Sequence, residues 1–255
     1  MKMELNELNY FSANANREYF SVSQFKSFMK CEAATMAEIN GQYVPETSEA
    51  MLVGSYVDAW ATCDLDDFII QHPEVFKKDG TLKAPFVRAK DIIDRINRDE
   101  VFIDYMDGEH QVILTGELFG YPWKIKIDSY KKGRYITDLK VMRDFEPVWV
   151  AGEGKQNWVD AWGYDMQGAV YQAIEGNQLP FILAAVTKEK TPDIALIQIP
   201  QWKLDSALKI VEHNIDHFAE VKEGLTIPKR CGKCDYCKAT KKLTAPVMWE
   251  GDEQV

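Results

Sequence analysis

A chain of 255 residues, 46 % of them hydrophobic, is long enough to bury the core of one large domain, and this composition excludes a chain that is disordered throughout. The 30 basic and 40 acidic residues leave a net charge of −10, which excludes a nucleic-acid binder whose whole surface is positively charged. No apolar run approaches the ~18 residues of a membrane span, and the first residues lack the apolar segment of a signal peptide. We therefore expect a cytoplasmic protein without a membrane partner, in which cysteines stay reduced.

The first half of the chain is predicted to be mainly helical. Residues 1–20 show no clear periodicity and are predicted to be a flexible segment. Apolar residues then recur at helical spacing, where Ser21 or Ser23 can cap the first helix and Gly41 can end it. The predicted helices of this half are 21–41, 48–62 and 85–106.

The second half changes to a period of two, which predicts strands. The predicted strands are 110–119, 121–130, 134–142, 181–189 and 193–200, of which the first three form an antiparallel meander. Helices over 158–175 and 201–222 accompany them. Together these helices and strands predict an α/β fold, with helices packed around a central mixed sheet.

Two acids and a lysine stand on neighbouring strands of the predicted meander. Asp138 and Lys140 are two residues apart and therefore share one face of their strand, and Asp128 lies near the end of the strand before it. Converging carboxylate oxygens are the ligands that Mg²⁺ or Mn²⁺ prefers, and a neighbouring lysine can activate water or stabilise charge on a phosphate. The alternative is a solvated strand face with a surface salt bridge, which contributes little.

Asp128 followed by Asp138-Leu139-Lys140 resembles the core motif of the PD-(D/E)xK nuclease superfamily, and within it the RecB/RecE-like phage exonucleases. The resemblance implies a restriction-endonuclease-like core, metal bound by Asp128, Asp138 and the carbonyl of Leu139, and a catalytic role for Lys140. It places the nuclease domain in residues 21–240, followed by a tail over 241–255.

Two further motifs extend the resemblance. The segment DMQGAVYQ supplies Gln167 and Tyr171, four apart on a predicted helix, and the family pattern implies that they flank the site and contact substrate or the lysine. The segment GSYVD places Asp58 where the family has a metal-binding histidine. Aspartate is a competent oxygen ligand, so Asp58 is a candidate metal ligand, although an exposed helix acid explains it equally well.

The resemblance implies a metal-dependent DNA exonuclease of phage-type recombination or repair. It further implies a single-strand annealing protein as partner, a ring-like homo-oligomer, and a bacterial host cytoplasm if the protein is phage-encoded. Two alternatives remain open: a structure-specific endonuclease on the same core, and a catalytically degenerate DNA-binding or regulatory protein.

Three cysteines form a C-x₂-C-x₂-C run, namely Cys231, Cys234 and Cys237, and this spacing favours metal binding in a reduced compartment. The resemblance to RecB-type nucleases adds Cys31 as the fourth ligand and implies a [4Fe–4S] cluster. A zinc ion with four thiolate ligands is the alternative.

The aromatic residues Trp149, Trp158, Trp162 and Tyr164 precede or open the predicted helix that carries Gln167. Such side chains stack on bases in single-strand binders, but more often they belong to a core. We therefore predict that they are core residues.

Overall fold

The structure, a computed structural model, describes residues 3–246. Between these residues the helices are α1 (Ala13–Glu18), α2 (Val22–Lys30), α3 (Glu32–Ile39), α4 (Glu49–Ala61), α5 (Leu65–Gln71), α6 (Ala84–Asn97), α7 (Glu100–Met106), α8 (Trp158–Ala161), α9 (Tyr164–Glu175), α10 (Gln201–Lys222) and α11 (Asp235–Ala239). The strands are β1 (Glu109–Leu118), β2 (Tyr121–Lys131), β3 (Tyr135–Met142), β4 (Val148–Val150), β5 (Gly154–Gln156), β6 (Phe181–Thr187) and β7 (Ile194–Gln198). No helix in this part of the chain is long and apolar enough to cross a membrane.

The main sheet has five strands in the order β1-β2-β3-β6-β7. Strands β3 and β6 are parallel, whereas the other neighbours are antiparallel. Strands β4 and β5 form a separate hairpin. The predicted mixed sheet, with its antiparallel meander and flanking helices, is confirmed.

Tight turns hold the meander in register. Strands β1 and β2 are joined by a two-residue loop, Phe119-Gly120, in which both residues have positive φ (54° and 81°). This is the hairpin turn whose twist matches that of paired strands. The turn between β2 and β3 contains Gly133 at φ 71°, a conformation that glycine adopts without steric cost.

Helices cover both faces of the sheet, and β6 is buried along its whole length because it meets both layers. Phe181 and Leu183 pack in the core beneath α2, α9 and α10, whereas Ala184 and Val186 pack in the core beneath α4, α6 and α7. A strand that is buried on both faces has a nearly continuous apolar sequence, as β6 has. The candidate site lies on β2 and β3, of which β3 pairs with β6.

Three of the predicted helices are each divided into two. The helix predicted over 21–41 breaks at Cys31, whose φ of −165° is extended and which separates α2 from α3. The helix predicted over 85–106 breaks before Asp99, whose side chain caps α7 by accepting a hydrogen bond from the Phe102 N–H. The helix predicted over 158–175 breaks at Gly163, which has a φ of +61°. Two of these breaks position functional candidates, as described below.

The N-terminal segment, predicted to be flexible, packs against the sheet in the structure. Tyr10 and Ala15 are buried, and the Phe20 N–H donates to the Pro122 carbonyl of β2 at 2.8 Å. The ammonium of Lys124, itself buried, donates to Asn16 Oδ1 at 2.7 Å and also to the carbonyl of Tyr10. A buried cation needs such partners, so the segment is tied to β2 rather than free. Of the predicted tail, residues 241–246 are exposed, and the rest lies outside the described residues.

Candidate active site

The site begins where β2 and β3 separate. Their pairing runs from Lys131 opposite Tyr135 to Ser129 opposite Thr137 and then stops. The next residues would be Asp128 and Asp138, but the Asp128 carboxylate enters between the strands and accepts the Leu139 N–H at 2.9 Å. The carboxylate thus replaces a ladder bond, which opens the sheet at this point.

Asp138 lies inside this opening and is almost fully buried, with 1 % of its side chain exposed. Gln167 of α9 donates from Nε2 to Asp138 Oδ1 at 2.6 Å, and Lys140 forms an ion pair with Oδ2. The Lys140 side chain is 20 % exposed, so the pair lies at the edge of the buried region. Gln167 and Lys140 therefore fix the orientation of the Asp138 carboxylate, each by holding one of its oxygens.

Asp58 approaches the same place from α4, which packs against β3. Burial raises the pKa of Asp58, and the negative charge of Asp138 raises it further. Burial likewise raises the pKa of Asp128, with Asp138 and Asp58 as the next causes. The charge of Asp138 thus acts on both Asp58 and Asp128, which indicates that the three acids are neighbours.

The lysine compensates only part of this charge. Burial on its own lowers the pKa of Lys140, but the charges of Asp138 and Asp128 outweigh it and raise the pKa overall. Lys140 is therefore a protonated cation at neutral pH. Lys126 is a second nearby cation, because its charge lowers the pKa of Asp58. A divalent cation between the carboxylates would reduce their mutual repulsion.

The residues present fit such an ion. Asp58, Asp128 and Asp138 offer hard carboxylate oxygens, and the carbonyl of Leu139 lies on the strand between Asp138 and Lys140. This donor set is the kind that Mg²⁺ and Mn²⁺ bind.

Tyr171 lies on the same helix as Gln167 but has a different contact. It is 8 % exposed, and its hydroxyl donates to the carbonyl of Lys126 on β2 at 2.8 Å. The family pattern implied contacts of Gln167 and Tyr171 with substrate or the lysine. In the structure Gln167 donates to the Asp138 carboxylate, and Tyr171 holds the strand two residues before Asp128.

Two neighbours of the cluster were not identified from sequence. The ring centre of Tyr164 lies 5.2 Å from Lys140 Nζ and 5.6 Å from Lys26 Nζ. Both ammonium groups therefore lie near this ring. Tyr164, predicted to be a core residue, is partly buried and packs against the core, and no sequence signal distinguishes Lys26 from Lys30, the other lysine of its helix. Trp158 is buried as predicted, whereas Trp149 and Trp162 are exposed, by 73 % and 48 %.

The four cysteines form a second candidate site, which joins a residue near the start of the chain to three residues near its end. The sulfur atoms of Cys31, Cys231, Cys234 and Cys237 all lie within 4.8 Å of one another. Cys31 reaches this position because the chain is extended there, between α2 and α3. The Cys234 N–H donates to Cys231 Sγ at 3.3 Å and is the first cause of a lowered Cys231 pKa, which favours the thiolate form that binds metal.

A buried carboxylate next to Cys31 fixes the segment that carries the other cysteines. Glu32 accepts the Lys229 N–H at 2.8 Å and is paired with His217 Nε2 of α10 at 2.9 Å. Arg230 donates to the Cys237 carbonyl at 3.2 Å. The cysteine segment is thus attached to α3 and α10 independently of any bound metal.

The sulfur spacing bears on what these cysteines hold. Cys31 Sγ and Cys237 Sγ are 3.5 Å apart, and Cys231 Sγ and Cys237 Sγ are 4.0 Å apart. Four thiolates bound tetrahedrally to one zinc ion at ~2.3 Å stand about 3.8 Å from one another. The thiolates of a [4Fe–4S] cluster bind four separate irons and stand farther apart. The four cysteines can bind a metal centre, and their spacing matches a single ion more closely.

Comparison with known proteins identifies the family. A family model described as "PDDEXK-like domain of unknown function (DUF3799)" matches residues 21–240. A crystal structure from Eubacterium rectale, described as a "putative exonuclease", is 46 % identical, covers 97 % of both chains and superposes with a TM-score of 0.94. Another solved structure, SSO0001, is 15 % identical over 84 % of this chain and 92 % of its own, with a TM-score of 0.34. No curated protein matches the chain. From the matched length and this relative, the chain belongs to the PDDEXK-like DUF3799 family.

Proposed function

We propose that the chain is a metal-dependent DNA exonuclease that hydrolyses phosphodiester bonds at the cluster of Asp58, Asp128, Asp138 and Lys140. The observation that carries this proposal is the buried Asp138 carboxylate, paired with Lys140 and bonded to Gln167, beside the Asp128 carboxylate where β2 and β3 separate. The 46 % identical relative, described as an exonuclease, supports DNA as the substrate.

Asp58, Asp128, Asp138 and the Leu139 carbonyl would hold Mg²⁺ or Mn²⁺. When bound, such an ion stabilises negative charge on a phosphoryl oxygen and lowers the pKa of a bound water. The carboxylates on their own repel a phosphate, and a bound ion would offset that repulsion.

Lys140 acts as a hydrogen-bond donor in this proposal. Because the neighbouring carboxylates raise its pKa, the ammonium form of Lys140 is favoured over the free amine. Its ammonium group can orient the attacking water or stabilise the charge that develops on the phosphate. Gln167 and Tyr171 are positioning residues, because one holds the Asp138 carboxylate and the other holds the β2 backbone.

The experiment is cleavage of linear duplex DNA by wild type and by Lys140→Ala, in Mg²⁺ and in Mn²⁺. Loss of cleavage by Lys140→Ala, with folding and DNA binding retained, supports the mechanism. The matched control is Lys203→Ala, which removes a lysine paired with Asp160 away from the cluster and should cleave like wild type. Undiminished cleavage by Lys140→Ala would remove the proposed role of this residue.

A covalently closed circular duplex separates the two nuclease alternatives. An exonuclease cannot start on it, whereas a structure-specific endonuclease linearises it at a suitable site. A catalytically degenerate protein would bind DNA but cleave neither substrate in either metal. A role in phage-type recombination, a single-strand annealing partner and a ring-like oligomer remain predictions from the family resemblance.

The cysteine site is proposed to hold a structural metal centre that joins the C-terminal segment to the break between α2 and α3. The family resemblance implies a [4Fe–4S] cluster, whereas the sulfur spacing favours one zinc ion. Metal analysis of protein purified without oxygen decides between them. Iron and sulfide with broad absorption near ~400 nm indicate the cluster, and one zinc per colourless chain indicates the single ion.

A further inference from the structure

A groove of about 550 Å³ opens beside the candidate active site. Its walls are the first half of α4, the end of β3 and the turn that leads into α9. Gly54 lines it, and Asp58 follows Gly54 by one helical turn on the same side of α4. Tyr164 also lines it, with its ring centre 5.2 Å from Lys140 Nζ. The groove therefore lies next to the residues that surround the carboxylate cluster.

Trp162 lines this groove, and the backbone around it is held in place. Lys26 of α2 donates from Nζ to the Trp162 carbonyl at 2.9 Å. Gly163 follows with a φ of +61°, and a Cβ at this position would lie 3.1 Å from Lys26 Cδ. The turn thus requires glycine both for its conformation and for its closeness to Lys26. It presents an indole that is 48 % exposed beside the partly buried Tyr164.

The charge of the groove differs in sign from that of the whole chain. Its charged lining residues are Arg143, Lys188 and Asp144. Arg143 pairs with Asp144 at 2.6 Å, and its side chain is 81 % exposed. Lys188 donates to the Ala50 carbonyl at 3.1 Å. Two cations and one anion give the lining a net positive charge on a chain whose net charge is −10.

We propose that this groove binds an unpaired strand at a DNA end, with a base stacked on Trp162 and backbone phosphates near Arg143 and Lys188. An aromatic face combined with cations is how single strands are bound without sequence preference. The volume lies within the roughly 300–1,000 Å³ of pockets that enclose one small molecule, which suits a nucleotide or two of one strand rather than stacked base pairs. The inference rests on the proposed nuclease function and specifies its substrate.

The test is fluorescence anisotropy with two labelled probes, a blunt duplex and the same duplex with a single-stranded tail. Ca²⁺ replaces Mg²⁺ in the assay, and electrophoresis verifies that the probes stay intact. Wild type should bind the tailed probe more tightly. Trp162→Ala should bind the tailed probe about 5- to 150-fold more weakly, which is the effect of removing one base–aromatic stack. Its affinity for the blunt probe should change little.

Two variants separate stacking from a general loss of structure. Trp162→Phe keeps an aromatic face and should recover most of the affinity for the tail. Trp202→Ala removes an indole that is 65 % exposed on α10, outside the groove, and should bind both probes like wild type. Equal affinity of wild type for the two probes, or equal losses by Trp162→Ala on both, would overturn the proposal.

Failure of the nuclease proposal has a different signature. In that case wild type cleaves no DNA in Mg²⁺ or Mn²⁺, while its preference for the tailed probe and the loss caused by Trp162→Ala persist. Cleavage by wild type without any effect of Trp162→Ala on tail binding would instead overturn the groove assignment alone.

Discussion

Replacing Gln167 by methionine removes one hydrogen bond to Asp138 and keeps nearly the same side-chain volume. The bond is short, 2.6 Å from Nε2 to Oδ1, and its acceptor is a carboxylate. A hydrogen bond to a charged group contributes about 1.5–3 kcal/mol. If the reaction requires Asp138 in this orientation, the same free energy is lost from the transition state. At ~1.36 kcal/mol per tenfold in rate, cleavage should slow about 10- to 150-fold.

The assay is the initial rate of nucleotide release from linear duplex DNA at saturating Mn²⁺, together with thermal unfolding. Gln172→Met is the matched control on the same helix. Gln172 donates to the Leu179 carbonyl at 2.9 Å, away from the carboxylates, so its loss should lower stability without changing the rate of the folded enzyme. A Gln167→Met rate within twofold of wild type would refute the role assigned to this hydrogen bond.

Three further predictions concern stability and metal. Gly168→Ala should lower the free energy of unfolding by about 1–3 kcal/mol, because its Cβ would lie 2.5 Å from Phe181 Cδ1. The Cβ of Gly54→Ala meets nothing within 4 Å, so this variant should be neutral or more stable by up to ~1 kcal/mol. Thermal unfolding of the two variants compares these effects. Cys31→Ser should lose the bound metal and lower the unfolding temperature, and a chelator should then have no further effect; a metal content equal to wild type would contradict this. Burial, followed by the charge of a neighbouring lysine, lowers the pKa of Lys222 from 10.5 to about 7. Because the unfolded chain then binds more protons than the folded chain between about pH 7 and 10.5, this lysine should make stability rise with pH, and Lys222→Met should flatten that slope in denaturant titrations.

The strands that carry the site were predictable because their pattern is local. The alternation along β2 and β3 and the glycine at their turn define a hairpin, and a hairpin brings Asp128 close to Asp138. The period of two placed Lys140 on the same strand face as Asp138, and the family pattern added Gln167; both side chains contact Asp138 in the structure. Their catalytic roles remain predictions.

The helix breaks and the groove depend on contacts between distant parts of the chain. Periodicity continues through Cys31 and through the segment around Gly163, so the pattern predicts single helices there. The break at Cys31 coincides with a sulfur that meets Cys237, 206 residues later. The break at Gly163 accompanies a hydrogen bond from Lys26, 136 residues earlier. No local signal carries such information, which is why the exposed Trp162 was predicted to belong to the core.

The metal site is tested most directly by the anomalous scattering of a crystal soaked in Mn²⁺. We expect an ion bound by Asp128, Asp138 and the Leu139 carbonyl, with Asp58 beside it, and the loss of that ion in Asp128→Asn. A fully soaked crystal in which no manganese lies among these carboxylates would refute the proposed nuclease site.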